Sequence, residues 1–249
     1  GPLNARFCTN RAMQLAEKHG IGCVAIAETN HWMRGGKYGW QAAQNGCAFI
    51  GWTNTEANMP AWGAKDARLG NNPLVFAVPY EKEAIVLDFA MTQYSYGKME
   101  AFQMEETSLS FPGGFDKEGN LSNDPSAILQ SGRTLPVGYW KGSGLSMLLD
   151  MLATVLSAGL STKQLSEREV EHGVSQVFIA FDLKKLDTLS SIDAKISEII
   201  SYVKQSEADE NTGEIRFPGE KILRTRKVNL EEGIPVNEQI WKNVIHLMK

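Results

Sequence analysis

The sequence predicts an α/β layered fold, a mixed sheet packed by helices. Stretches with the 3.6-residue period of an amphipathic helix alternate with short, continuous apolar runs of strand length. Two of those runs are close enough in the chain to form a hairpin. The chain has 249 residues, 43% of them hydrophobic. At that length folding buries roughly 70–75% of the unfolded surface, so no disulfide or metal is needed to hold a core.

The first helix runs from Ala5 to His19, and Gly20 stops it because glycine accepts the positive φ of a helix C-terminus. Gly22 to Ala27 is a buried strand. A loop rich in glycine and aromatics follows, Asn30 to Gly39, and then a short helix around Trp40 to Gln44. Cys47 to Trp52 is the second strand. Pro73 to Pro79 and Ala84 to Phe89 form the hairpin, which is why a mixed sheet is expected. Pro112 to Pro136 is turn-rich and reads as a long surface excursion. Lys141 to Gly159 is the strongest helix. Its polar residues Ser146, Asp150, Thr154 and Ser157 make one thin seam on an apolar cylinder, so it is expected to be mostly buried. Gln176 to Leu183 is a further strand and Asp193 to Glu207 an amphipathic helix. Two last helices, Glu220 to Glu232 and Val236 to Met248, follow a break at Pro218-Gly219. No linker or repeat interrupts this order, so one α/β domain spanning 1–249, C-terminal helices included, is expected.

Charge and cysteines narrow the function. Twenty-five Lys+Arg against 29 Asp+Glu give a net charge of −4, with no basic stripe for nucleic acid. Cys8, Cys23 and Cys47 are odd in number and lack CxxC spacing, so neither a disulfide framework nor a zinc site is expected. All three sit among apolar neighbours and read as buried thiols in a reducing cytosol. The longest apolar stretch, Leu145 to Leu160, carries Asp150 and falls short of the roughly 20 residues of a membrane span. No signal-peptide pattern precedes the first helix. A soluble cytoplasmic protein without membrane or nucleic-acid partners is the expectation. The chain opens on Gly1-Pro2 rather than Met, which fits a tag remnant or a missing upstream segment.

The chemistry-bearing motifs come next. P-loop, HExxH and GxSxG patterns are absent, and Gly142-Ser143-Gly144 lacks the third glycine of a Rossmann fingerprint. Lys141-Gly142-Ser143-Gly144 opens a helix. It reads either as an anion cradle of free N–H groups beside a lysine or as a plain helix start capped by Ser143. The loop Thr29 to Trp40 joins His31, Arg34, two tryptophans and a glycine pair after a buried strand. A carbonyl reduction needs such parts, an acid near the forming alkoxide and a cation to orient a carboxylate. The alternative is a structural histidine with Trp32 and Trp40 capping the core. Lys65 and Arg68 either hold an anionic substrate or are solvated surface charge. Phe217-Pro218-Gly219-Glu220 reads by itself as a helix start.

Taken together, these segments resemble one family. Asn30-His31, the Pro60-x-Trp62-Gly63-x-Lys65…Arg68-Leu69-Gly70-x-Asn72-Pro73 stretch, Val86 to Ala90, Gly113 to Asn120, Leu135 to Gly142 and Arg216 to Glu220 follow its motifs in order over essentially the whole chain. The sequence is similar to the malate/L-lactate/L-sulfolactate dehydrogenase-like oxidoreductases, which bind nicotinamide without a Rossmann fold. The resemblance implies a non-Rossmann, L-sulfolactate dehydrogenase-like layered fold and hydride transfer between NAD(P)H and a 2-keto acid, here a sugar-derived diketo acid. A malate- or lactate-type dehydrogenase and an inactive nucleotide-binding module are the alternatives. It further implies NAD, with NADP as the alternative, and a homodimer. The cofactor would lie against Asp88, Phe89, Ala90, Met91, Thr92, Gln93 and Tyr94, against Trp140 and Lys141, and against Gly219, Glu220 and Lys221. His31 is the catalytic candidate, facing the nicotinamide or the substrate carbonyl, and Arg34, Lys65 and Arg68 are the substrate-binding candidates. The family's proton-donating histidine belongs to a Ser-His-Gly motif in an N-terminal helical region. This sequence contains no Ser-His-Gly, so the chain is expected to lack that region.

Overall fold

Small residues at helical spacing decide how the first helix sits. In the computed structural model, which describes residues 1–186, 191–209 and 213–247, α1 (Pro2–His19) turns Ala5, Cys8, Ala12 and Ala16 into the core. Gly20, at φ 88°, ends the helix and donates to the Ala16 carbonyl. Gly22 has no side chain to hold α1 off the sheet. A Cβ there would collide with the Ala12 carbonyl.

The strands, in chain order, are β1 (Ile21–Thr29), β2 (Cys47–Thr53), β3 (Met59–Pro60), β4 (Ala67–Leu69), β5 (Leu74–Tyr80), β6 (Glu83–Phe89), β7 (Gly114–Phe115), β8 (Leu121–Ser122) and β9 (Val174–Asp182). Five of them make the main sheet, in the order β1-β9-β2-β5-β6. The layered α/β class is as expected, but the mixed sheet is corrected: each of its ladders is antiparallel. β1 and β2 do run in the same direction. They are kept apart by β9, which arrives late in the chain and pairs antiparallel with both.

The remaining helices are α2 (Gly36–Ala43), α3 (Tyr96–Met104), α4 (Pro125–Ser131), α5 (Trp140–Ser157), α6 (Thr162–Leu165), α7 (Ile192–Lys204), α8 (Glu220–Glu232) and α9 (Glu238–Leu247). The predicted end of the last helix, Met248, lies outside the described residues. α1 and α2 cover one face of the sheet, where Trp32, Tyr38, Phe49, Val75 and Phe178 form the main core. On the other face, α5 sets Leu149 and Ala153 against Trp52 and Val177.

α5 is expected to be mostly buried, and it is not. Its polar seam points inward and much of its apolar surface faces out, with Leu148, Met151, Leu152 and Val155 exposed. The seam turns in because buried partners await it. Asn54 Nδ2 and the Thr162 N–H both donate to Asp150 Oδ1 at 2.9 Å. Ser146 Oγ donates to the Gly70 carbonyl at 2.6 Å, and Ser157 Oγ donates to Ser175 Oγ at 2.9 Å. The cysteine expectation is corrected at one position: Cys8 and Cys47 are buried, whereas Cys23 is exposed on the edge strand β1. The turn-rich stretch after Pro112 is also more built than expected. It holds the β7–β8 pair and α4, and Ile128 joins Tyr94, Met99 and Leu109 in a third core.

The chain divides into two compact units, Gly1–Asp193 and Ala194–Lys249. The first contains all the strands among the described residues. Within the second, Glu220 at the start of α8 accepts from Lys204 at the end of α7 (2.6 Å) and from Arg224 (2.8 Å). Glu214 binds Arg224 and Arg216, which hold its carboxyl down at about 2.

Candidate active site

The loop after β1 is fixed at three points. Trp32, 1% exposed, packs its ring 5.7 Å from Tyr38 and 6.0 Å from Phe178, and the Tyr38 hydroxyl donates to the Trp32 carbonyl at 2.8 Å. The buried Gln176 on β9 donates from Nε2 to the Asn30 carbonyl at 3.0 Å. Gly36 at the start of α2 donates its N–H to Asp88 Oδ2 at 2.7 Å. His31 lies inside this frame. The Met33 N–H donates to His31 Nδ1 at 3.1 Å, so Nδ1 is an acceptor and the neutral ring carries its proton on Nε2. Met33 reaches that geometry at φ 67°.

Asp88 closes the frame from β6. Burial pushes its carboxyl above the ordinary range, while the Gly36 amide and the Arg34 charge pull it back. Its charge thus sits at the positive end of α2. Beyond it, Met91 is fully buried. Its N–H donates to the Asn71 carbonyl at 2.7 Å and its carbonyl accepts from Val137 at 2.8 Å. Gln93 donates to the Leu135 carbonyl at 2.8 Å. The segment is therefore held by backbone bonds from both sides.

These two pieces meet in one cavity of about 820 Å³, the scale of a small-molecule or cofactor site. His31 and Arg34 line it, as do Asp88, Phe89, Ala90, Thr92, Gln93 and Tyr94; Met91 faces the core instead. Thr92 and Tyr94 are 4% and 5% exposed, and neither hydroxyl has a hydrogen-bond partner. Buried hydroxyls without partners are uncommon, and a polar ligand would satisfy them. The residues present thus suit a nucleotide-sized polar cofactor.

Other sequence candidates stand elsewhere. Lys65 is exposed, and Arg68, also exposed, pairs with Asp66 at 2.7 Å; neither lines the cavity. Trp140 and Lys141 are exposed at the start of α5, three and four residues after the cavity residue Val137. Neither of the two readings of this helix start holds as stated, and the cradle of free amides is not available. The Lys141, Gly142 and Ser143 N–H groups donate to the carbonyls of Gly138, Val137 and Tyr139. Ser143 Oγ accepts from Trp62 N–H at 3.0 Å rather than capping the helix. In the second unit, Gly219 caps α8 at φ 88° and Lys221 is exposed. Burial raises the Glu220 carboxyl, but Lys204, the Phe217 N–H and Arg224 outweigh it and leave it below its usual range. Among the described residues, no three His, Cys, Asp or Glu side chains gather as a metal site.

Sequence reasoning missed Gln176, hidden inside an apolar strand pattern, and Lys98, which lines the cavity from α3. The signal for Lys98 was Ser95 three residues ahead of it, a helix cap.

Comparison with known proteins follows the same lines. Residues 1–245 match the family model described as malate/L-lactate dehydrogenase. The chain is 46% identical over 246 residues to proteins of Citrobacter koseri and Klebsiella pneumoniae named 2,3-diketo-L-gulonate reductase, covering 98% of this chain and 74% of each relative. Among solved structures, a malate dehydrogenase from Pyrococcus horikoshii superposes with a TM-score of 0.85 at 25% identity, over 98% of this chain and 69% of that one. Sulfolactate dehydrogenase from Methanocaldococcus jannaschii superposes at 0.81 and 28% identity, over 96% and 69%. No described helix is long and apolar enough to cross a membrane.

Proposed function

This chain belongs to the malate/L-lactate dehydrogenase family, and we propose that within it the chain reduces 2,3-diketo-L-gulonate to 3-dehydro-L-gulonate with NADH, NADPH being the alternative cofactor. The observation that carries this reading is the single cavity joining His31 and Arg34 to the segment Asp88–Tyr94. Support for the substrate comes from the relatives of 46% identity named for it.

A reduced nicotinamide dinucleotide, when bound, supplies the hydride. The chain's own residues orient and polarise the acid. Arg34 is a fork of donors suited to the substrate carboxylate. His31 presents Nε2–H, because Nδ1 already accepts from Met33. A neutral imidazole so fixed donates a hydrogen bond to the carbonyl oxygen as negative charge grows there. Losing that Nε2 proton outright would leave an anionic ring, so the balancing proton comes from a separate acid. The family resemblance gives that role to the histidine of Ser-His-Gly. Asp88 holds the His31 loop to β6 through Gly36. Trp140, Lys141, Gly219, Glu220 and Lys221 are the further cofactor contacts in this reading; for Lys141 the side chain alone is free to serve.

The reading includes a cytoplasmic homodimer. Its compartment is supported by three free thiols, and its assembly by the apolar side chains that α5 turns outward. Mixing the full-length protein, with any segment upstream of Gly1 included, with NADH and 2,3-diketo-L-gulonate is expected to deplete the absorbance of reduced nicotinamide. No depletion with that substrate or with any simple 2-keto acid would overturn the reading.

A further inference from the structure

We propose that the start of α3 is an anion subsite of the cavity, in which the Lys98 ammonium, the leading amides of the helix and the Thr92 hydroxyl hold an anionic oxygen group of the ligand. The proposal rests on the reductase reading for the identity of that ligand, not for the existence of the site.

Lys98 supplies the charge. Its Nζ lies 5.2 Å from the Tyr94 ring centroid and 5.8 Å from that of Phe102, so the head is steered over two aromatic faces. No carboxylate pairs with it among the described residues, whereas arginines such as Arg68 and Arg224 have acidic partners.

The helix supplies oriented donors. Ser95 caps α3: its carbonyl accepts the Lys98 and Met99 amides and its Oγ lies 3.3 Å from the Lys98 nitrogen. That leaves the first two amides, Tyr96 and Gly97, outside the cap, at the positive end of the helix. Gly97 is open, since a Cβ built there would meet nothing within 4 Å. Ser95, Tyr96, Gly97 and Lys98 all line the cavity.

Thr92 is the independent sign of a ligand. It lines the same cavity at 4% exposure, and its Oγ1 is buried with no partner. An ammonium, free helix amides and an unpaired hydroxyl are together a set of donors without an acceptor. Two sources offer the acceptor: the pyrophosphate of a dinucleotide and the carboxylate of the keto acid.

Inorganic pyrophosphate separates them when titrated calorimetrically into the wild type, Lys98→Met and Thr92→Val. KM for the keto acid and NADH affinity are measured on the same proteins. Methionine keeps the apolar stem against Tyr94 and Phe102, so the fold is retained. If the site holds the dinucleotide phosphates, pyrophosphate and NADH affinities fall on the order of 10- to 100-fold in Lys98→Met and about fivefold in Thr92→Val. If it holds the substrate, KM rises by that factor and the other two affinities stay constant. Unchanged pyrophosphate affinity, NADH affinity and KM in Lys98→Met overturn the subsite. A wild type that oxidises no NADH with any keto acid, yet loses pyrophosphate binding on Lys98→Met, sinks the reductase reading and leaves the subsite standing.

Discussion

Asp88 and Gly36 form a contact whose two parts separate by mutation. Burial raises the Asp88 carboxyl above its usual 3.8, so ionising it costs the folded state more than the unfolded one. That cost is absent below pH 3.8, where both states are protonated, and grows as pH rises through the folded value. Asp88→Asn keeps an acceptor for the Gly36 amide and removes the charge. Its melting temperature should therefore exceed wild type at pH 7 and converge with it below pH 3.8. Asp88→Ala strands the amide and should lose about 1–2 kcal/mol below pH 3.8 and less at pH 7, where it also removes the cost of ionisation, read from urea unfolding. A second residue-scale prediction concerns His31, which is exposed and anchored through Nδ1. His31→Ala should lower kcat on the order of 100-fold, with NADH affinity nearly constant, because it removes one donor to the developing alkoxide. His31→Gln, which retains an N–H donor, should recover part of the loss. Steady-state rates beside a fluorescence titration of NADH decide it, and unaltered turnover would leave His31 a loop residue.

At the scale of elements, α5 shows what periodicity conveys and where it stops. The spacing of Ser146, Asp150, Thr154 and Ser157 revealed a seam, and the structure contains that seam. Which side of the cylinder met the core depended on Asn54 and Gly70, far back in the sequence, and on Thr162 and Ser175 beyond the helix's end. Periodicity has no access to such partners. The two orientations predict opposite mutational ranks. With the seam inward, Asp150→Ala leaves Asn54 and Thr162 donors unpaired and should cost about 2–3 kcal/mol. Leu148→Ala, on the outward face, should cost under about 1 kcal/mol in the monomer. An apolar-inward helix would reverse them, with Leu148→Ala costing about 2–5 kcal/mol. Chemical denaturation of both variants below the concentration of any association tests this. α3 was passed over for a similar reason: Gly97 in its first turn and a nearly even spread of polar and apolar residues gave no face to read.

Over the whole molecule, local signals were legible and long-range ones were not. Every strand of the main sheet coincides with an apolar run seen in the sequence, because burial against the helices leaves a mark in composition. Their pairing left none. β9 enters between β1 and β2 from more than a hundred residues downstream, and nothing in the order of runs encodes that. The cavity is similar. His31 with Arg34 and the run Asp88–Tyr94 were both singled out, but as separate motifs; the Gly36–Asp88 bond that joins them is a product of folding. The same holds for the outward surface of the first unit. On the α5 side of the sheet, Phe76 stands opposite Ile50 and Leu87, and Phe76 and Leu87 remain exposed. Val78, two residues on and so on the same face, is exposed too. With Leu148, Met151, Leu152 and Val155 of α5, one side of this unit carries more large apolar side chains than a solitary soluble protein usually exposes. A second copy of the chain covers them in the proposed dimer. Met151, 51% exposed and pointing away from the core, is the place to test it. Met151→Asp introduces a charge that a dry interface would have to desolvate, while the folded monomer leaves it in water. The variant should retain its circular dichroism, and its mass by light scattering should fall from twice the chain mass to the chain mass. A wild type that is monomeric at the same concentration, or a variant that still dimerises, would show that α5's outward face is not the interface.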